Sequence, residues 1–199
     1  DLTVSNSTIS GNTATFGGGI SSNGIDGTTT VSNSTISGNT AGQRGGGIYN
    51  RSGTTTVSNS TISGNNAIVG GGIYSRDGTT TVSNSTISGN TASKGGGIIS
   101  INGRTTVSNS TISGNTAGFD VGGGIFSDGR TTVSNSTISG NSARLGGGIF
   151  SLDGTTTVSN STISGNNATS DGGGIISING RTTASNSIVA GNTLTAGGV

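Results

Sequence analysis

The chain has 199 residues, a formal net charge of +1 and 8% charged residues, and it contains no Cys, His, Pro, Met or Trp. These absences exclude a thiolate nucleophile, a Ser-His pair, a disulfide framework and a zinc site built from Cys and His. The charge is too small for a nucleic-acid-binding surface, and no apolar run approaches the about 20 residues of a membrane-spanning helix. We therefore expect no nucleic-acid partner, no membrane span, no cofactor and no metal.

One unit is repeated along the whole chain. The string VSNSTISGN recurs in steps of 25 to 27 residues, beginning at Val4, Val31, Val57, Val82, Val107, Val133 and Val158, and a degraded copy begins at Ala184. A hydrophobic content of 26% alone suggests disorder, but a disordered chain has no reason to keep apolar residues at fixed spacing. A period of this size is typical of a solenoid. We expect residues 1–199 to form one array, with seven repeats and a degraded eighth at 182–199, and to be a segment of a longer protein.

The first two predicted strands of each repeat alternate apolar and small polar residues. In the second repeat, segment 30–32 places Val31 on the opposite face from its neighbours, and segment 35–37 does the same with Ile36. We expect both apolar side chains to point inward, and the Thr and Ser beside them to point outward.

The third predicted strand follows a variable loop and a glycine triplet. Gly45-Gly46-Gly47 fits a corner where a Cβ atom would clash, and Ile48 after it is expected to point inward. The repeat thus predicts an all-β, right-handed parallel β-helix of about eight coils, each of 25–27 residues with three short strands.

Two Asn residues recur at the bends of every repeat. Asn33 and Asn39 are typical of turns, because Asn tolerates left-handed backbone and can bond to neighbouring backbone groups. Stacked Asn side chains can also bond to the coils above and below. We expect Asn33 and its equivalents to point inward and to form such a ladder.

The residue after GGGI forms a column of mostly large apolar side chains. Its large members are Tyr49, Tyr74, Ile99, Phe126, Phe150 and Ile176. Alternation places this column outside the coil, and a contiguous exposed apolar stripe indicates an interaction surface. We expect lateral self-association through it, together with end-to-end stacking through the open coil edges. Two alternatives remain: the variable loops of the same chain cover the stripe, or its aromatic rings bind carbohydrate.

A regular outward Thr-x-Ser face gives a further alternative, ice binding. Its residues are Thr30, Ser32, Thr56, Ser58, Thr81, Ser83, Thr106, Ser108, Thr132 and Ser134. Their expected spacing is about 6.6–7 Å along a strand and about 4.7–4.8 Å between coils, close to oxygen spacings in ice.

Acidic residues offer little for catalysis. Asp26, Asp77, Asp128 and Asp153 fall in roughly the same turn of four coils, and Asp128 and Asp153 are the nearest candidate pair. Asp-Gly is a common turn sequence, whereas glycoside hydrolysis needs two closely placed carboxylates with tuned pKa values. We interpret these residues as turn formers and expect no enzyme activity.

The repeat resembles the polymorphic outer-membrane-protein repeat of chlamydial and environmental bacterial adhesins. That pattern pairs a GGA[ILV] element with an FxxN element. Segment 45–48, GGGI, matches the first with Gly for Ala, and segment 36–39, ISGN, matches the second with Ile for Phe. The resemblance implies a non-catalytic β-helix in an extracellular or cell-surface shaft, adhesin or filament.

Overall fold

The structure is a stack of β-coils. The computed structural model describes residues 1–24 and 26–195, and within these residues the regular secondary structure consists of 28 strands and no helix. All the strand pairings run parallel and join equivalent residues of successive repeats, such as Val31 with Val57 and Ile36 with Ile62. The predicted all-β solenoid with three strands per coil is confirmed, and it makes about seven turns.

The strands form three sheets that run along the stack. The first sheet has 12 strands: Leu2–Ser5, Ile20–Ser22, Thr28–Ser32, Ile48–Asn50, Gly53–Ser58, Ile73–Arg76, Gly78–Ser83, Ile98–Ser108, Ile125–Ser134, Ile149–Ser159, Ile175–Ile178 and Arg181–Ser185. The second has eight: Thr8–Ser10, Thr35–Ser37, Thr61–Ser63, Thr86–Ser88, Thr111–Ser113, Thr137–Ser139, Thr162–Ser164 and Ile188–Ala190. The third also has eight: Thr13–Phe16, Thr40–Arg44, Asn66–Val69, Thr91–Lys94, Thr116–Ala117, Ser142–Leu145, Asn167–Asp171 and Thr193–Leu194.

The first sheet receives two segments of each repeat. One follows the glycine triplet and the other contains Val31 or its equivalent. In most coils these are separate strands, such as Ile48–Asn50 and Gly53–Ser58, whereas in three successive coils they merge into one: Ile98–Ser108, Ile125–Ser134 and Ile149–Ser159. The merged strands bend around a corner that contains Gly103 or its equivalent.

The main core consists of three apolar columns. Val31, Ile36 and Ile48 are all fully buried, and so are their equivalents through Val158 and Ile163. Each column repeats at the inter-strand spacing of about 4.8 Å, so every side chain packs against the same residue type above and below. The predicted inward register of these three columns is confirmed.

The glycine triplet allows successive coils to approach closely. Gly45 has a φ of 69°, in the left-handed region, and a Cβ on Gly46 would lie 2.4 Å from the carbonyl oxygen of Gly71 in the next coil. Backbone atoms cannot move aside as the end of a flexible side chain can. The triplet is therefore a packing requirement of the corner, as its sequence predicts.

A ladder of buried Asn side chains joins the coils, but it is not the predicted one. Asn33 and its equivalents are exposed and adopt a left-handed backbone, with a φ of 48° at Asn33, so the expectation that they point inward is wrong. Asn39 and its equivalents are buried instead. The Asn65 side chain accepts hydrogen bonds from the backbone and side-chain amides of Asn39, and its own amide donates to Ile36 and Asn90.

A second ladder consists of serine hydroxyls. Ser34 Oγ accepts a hydrogen bond from the backbone N–H of Ser7, 3.1 Å away, and donates to the carbonyl oxygen of Ser32 at 2.7 Å. The same pair of bonds recurs at Ser60 and its equivalents. The backbone groups at the corner between the first and second sheets are thereby satisfied by side chains.

We expect Asn90→Ala to destabilise the fold markedly. The substitution removes two bonds accepted from Asn65 and two donated to Ile62 and Asn115, at a cost of about 1–3 kcal/mol for each buried group left unsatisfied. Denaturant unfolding measures the loss. The control is Asn84→Gly at the exposed left-handed corner, which should cost little; equal losses in the two variants would contradict this ladder assignment.

Candidate functional site

The predicted apolar stripe is buried, so its expected exposure is wrong. Tyr49, Tyr74, Ile99, Phe126 and Phe150 are at most 6% exposed, and Ile176 is half-buried. They form a second apolar cluster outside the main coil. Most of the residues that cover them come from the variable segments before the glycine triplets, namely Phe16, Val69, Val121 and Leu145, and Ile101 and Leu152 after the triplets pack there too. The alternative in which the chain's own loops cover the stripe is therefore the correct one.

The aromatic faces of this cluster contact one another. The rings of Tyr49 and Tyr74 stack at 5.2 Å between centroids with an interplanar angle of 15°, and those of Phe126 and Phe150 stack at 5.5 Å with an angle of 9°. Rings whose faces are used in this way and whose side chains are buried cannot also stack on a sugar. The carbohydrate-binding interpretation of Tyr49, Tyr74, Phe126 and Phe150 is accordingly wrong for this fold.

Two cations at the ends of third-sheet strands complete the cover. The Arg44 guanidinium lies 5.6 Å from the centre of the Tyr74 ring, and Lys94 Nζ lies 4.6 Å from that of Phe126. Burial raises the pKa of the Tyr74 hydroxyl above its ordinary value, and Arg44 partly opposes that shift. In six of the seven described coils, the position just before the triplet thus carries either an apolar residue or a cation that packs on a ring, and in the seventh it carries Asp171.

The Thr-x-Ser array lies in register, as its spacing predicts. Thr30 pairs with Thr56 and Ser32 with Ser58, and the same pairing continues through Thr81 and Ser83, Thr106 and Ser108, and Thr132 and Ser134. These side chains are partly exposed, whereas the Val between them is buried. A second outward array of Thr and Ser, from Thr35 and Ser37 onward, lies on the second sheet.

Asp128 and Asp153, the predicted nearest pair of carboxylates, do not lie directly opposite each other. Asp128 lies opposite Leu152 in the next coil, so Asp153 falls one position further along the strand. Asp26, Asp77 and Asp153 adopt left-handed backbone at the corner, with φ values of 57°, 53° and 51°, whereas Asp128 does not. At least three of the four are therefore turn residues. Among residues 1–24 and 26–195, no group of three Asp side chains could hold a metal ion.

The part of the chain that the structure describes contains no helix long and apolar enough to span a membrane.

Comparison with protein families agrees with this architecture. The family model described as right handed beta helix region matches residues 47–198, which is more than half of the chain. The chain belongs to the right-handed β-helix family. Membership of this family fixes the hand of the coil, which the sequence predicts to be right-handed.

A second, shorter match bears on where such a β-helix acts. The model of the Chlamydia polymorphic membrane protein repeat matches residues 33–51 of this β-helix, the segment that holds both elements of the predicted resemblance. The match points to a structural or adhesin-like role associated with a bacterial surface. No curated protein and no solved structure shows significant similarity to the chain.

Proposed function

We propose that this β-helix is a non-catalytic structural segment of an extracellular or cell-surface shaft, adhesin or filament in a bacterium. The observation that carries the proposal is the uninterrupted stack: three apolar columns and two polar ladders continue from coil to coil. Among the described coils, none differs from its neighbours in a way that would make it a reaction centre. Each coil in such an array is stabilised mainly by contacts with its neighbours. The number of coils can therefore vary, and it sets the length of the shaft.

Labelling of intact cells tests the surface role. An antibody against the β-helix should label unpermeabilised cells of the source bacterium and lose that signal when surface proteins are removed by protease. A cytoplasmic marker should stay unlabelled in the same cells. Labelling that requires permeabilisation would contradict the proposed location.

The proposed lack of catalysis is tested by turnover. Purified protein should release no reducing ends and no unsaturated products from acidic or neutral polysaccharides. Activity that Asp128→Asn abolishes, while the protein stays folded, would contradict the proposal.

We further propose that self-association occurs end to end through the open coil edges. At the last described coil, Val189 continues the Ile36 column and Leu194 the Ala41 column, yet they are 47% and 58% exposed. The Asn ladder is directional, because each coil donates amide hydrogens to the next coil's Asn oxygen. A further coil, from the same chain or from a second copy, would extend both the apolar columns and the ladder. The stripe itself is buried and so is not available for lateral association.

Particle length tests the end-to-end route. We expect the mass from light scattering to rise with protein concentration and electron micrographs to show rods of increasing length. Val189→Asp with Leu194→Asp should abolish this growth, because it places charge on the apolar coil end. Ile68→Asp is the matched control, since Ile68 is 55% exposed but lies on the side of the stack. Wild-type protein that stays monomeric at high concentration would contradict end-to-end stacking.

Ice binding is a second candidate, favoured by the in-register Thr and Ser ranks on the first sheet. Thermal hysteresis of the purified protein measures it. Thr81→Tyr with Thr106→Tyr should remove the activity by disrupting the ordered face, whereas Thr86→Tyr with Thr111→Tyr on the second sheet should leave it intact. Absence of hysteresis in the wild type would eliminate this candidate.

A further inference from the structure

A column of buried hydroxyl groups runs inside the stack, apart from both apolar clusters. It lies beside the corner where the two segments of the first sheet meet, and we call it the hydroxyl column. Its members are Ser75, Thr80, Ser100, Thr105, Ser127, Thr131, Ser151 and Thr156, and each is at most 1% exposed. They form four successive ranks, one Ser and one Thr in each, held in register by strand pairing.

None of these eight hydroxyl oxygens has a hydrogen-bond partner among the described residues. A buried hydroxyl without a partner costs free energy, and in folded proteins such groups are nearly always satisfied by protein or by ordered water. A single unpaired hydroxyl would be a local irregularity. The same two unpaired hydroxyls in four consecutive ranks indicate a property of the coil itself.

The neighbouring coil shows what fills the space between the two hydroxyls. In that coil Asn50 occupies the Ser position, in register with Ser75, and its side-chain amide donates a hydrogen bond of 2.8 Å to Thr55 Oγ1. Asn has two more side-chain heavy atoms than Ser and reaches one bond further from Cβ, while the Thr partner is unchanged. A Ser rank therefore leaves a gap of roughly one water molecule between two groups that both need partners.

We propose that each rank of the hydroxyl column binds one water molecule, which bridges the Ser and Thr hydroxyls, and that Asn50 takes the place of this water in its own coil. A hydroxyl has one donor and two acceptor sites, so both side chains can bond to the same water. The site is polar and enclosed, as buried water sites are. Ranks are about 4.8 Å apart, longer than a water–water hydrogen bond, so these are separate sites and not a continuous file.

A high-resolution crystal structure of the wild-type protein tests the proposal. We expect one ordered water within hydrogen-bond distance of both Ser100 Oγ and Thr105 Oγ1, the same in the other three ranks, and none between Asn50 and Thr55. Direct bonds from these hydroxyls to each other or to backbone carbonyls, with no density between them, would overturn it.

A reciprocal pair of variants tests whether Asn and water are interchangeable. Ser100→Asn should lose the water of its rank and bond directly to Thr105, while the other three ranks keep theirs. Asn50→Ser should gain a water at Thr55. If Asn50→Ser instead draws the introduced hydroxyl into direct contact with Thr55, or if Ser100→Asn retains its water, the exchange is wrong. The electron density of the wild-type protein is a sufficient test by itself, so the proposal can be refuted even if a variant fails to fold.

Discussion

Phe126→Ala is expected to destabilise the protein by about 3–5 kcal/mol, the usual cost of removing a buried Phe side chain. The ring is 3% exposed, stacks on Phe150 at 5.5 Å and lies under Lys94 at 4.6 Å. Truncation removes these contacts and leaves a cavity. Hydrogen bonds between the coils fix the spacing of the strands, so the structure cannot close this cavity. The free energy of unfolding, from denaturant unfolding followed by circular dichroism, measures the loss.

The matched control for this variant is Phe119→Ala. Phe119 lies in a neighbouring loop of the same coil and is 83% exposed, so the same truncation there should change stability by less than about 0.5 kcal/mol. The comparison decides whether the aromatic column is interior. If both substitutions cost the same, the second apolar cluster does not form in solution, and the column is available to a partner after all.

Gly97→Ala should also have a large effect, at or above the upper end of the about 1–3 kcal/mol typical of overpacking. An added Cβ would lie 2.4 Å from the carbonyl oxygen of Gly124 and 3.2 Å from the Asn115 side-chain nitrogen. The coils would have to move apart at the centre of the stack, which would weaken the Asn ladder and the apolar columns together. We expect a lowered unfolding midpoint and a broader transition as the two halves uncouple.

Gly118→Ala is the control for the triplet. At Gly118 an added Cβ would meet only the Ala92 carbonyl oxygen, at 3.8 Å, and the backbone φ is not positive. Its substitution should therefore be nearly neutral. Equal tolerance at Gly97 and Gly118 would mean that the coils are not as closely stacked as the structure indicates.

Sequence pattern alone predicts the main core because alternation and period both depend on it. Val31 and Ile36 each lie between small polar residues, so only one face of each of these two strands can be the apolar interior, and Ile48 follows the glycine triplet at the start of the third. The same alternation places Tyr49 on the outer face, and the structure agrees with that direction. Alternation within one strand carries no information about whether another segment covers its outer face. The sequence does contain a signal of this cover. Several glycine triplets are preceded by an apolar residue, such as Val69 and Val121, and these residues pack against the column that follows the triplets.

The sequence contains the reason why the Asn ladder forms at Asn39 and not, as predicted, at Asn33. Asn39 follows Gly38, which takes the left-handed conformation with a φ of 61°, so Asn39 is free to turn its side chain inward. Asn33 has no Gly before it and takes the left-handed conformation itself. Both bends contain Asn. Only the preceding residue, Gly38 before Asn39, distinguishes the buried ladder residue from the exposed turn residue. The Ser34 ladder has no pattern to mark it, whereas alternation places Thr80 on the same face as Val82 and Ser75 on the same face as Ile73 and so does indicate that the hydroxyl column is inside.

Removal of one whole coil tests most directly the claim that this β-helix is a stack of equivalent structural units. Deletion of residues 87–111 removes 25 residues and joins Thr86 to Ile112, which preserves the order Thr-Ile-Ser and the register of all three sheets. We expect the deletion protein to fold, with an unchanged β-sheet circular dichroism signal per residue, an unfolding midpoint only slightly below that of the full chain and a length shorter by about 4.8 Å in small-angle scattering. An unfolded product would contradict the account, because it would show that the deleted coil has a role that its neighbours cannot supply.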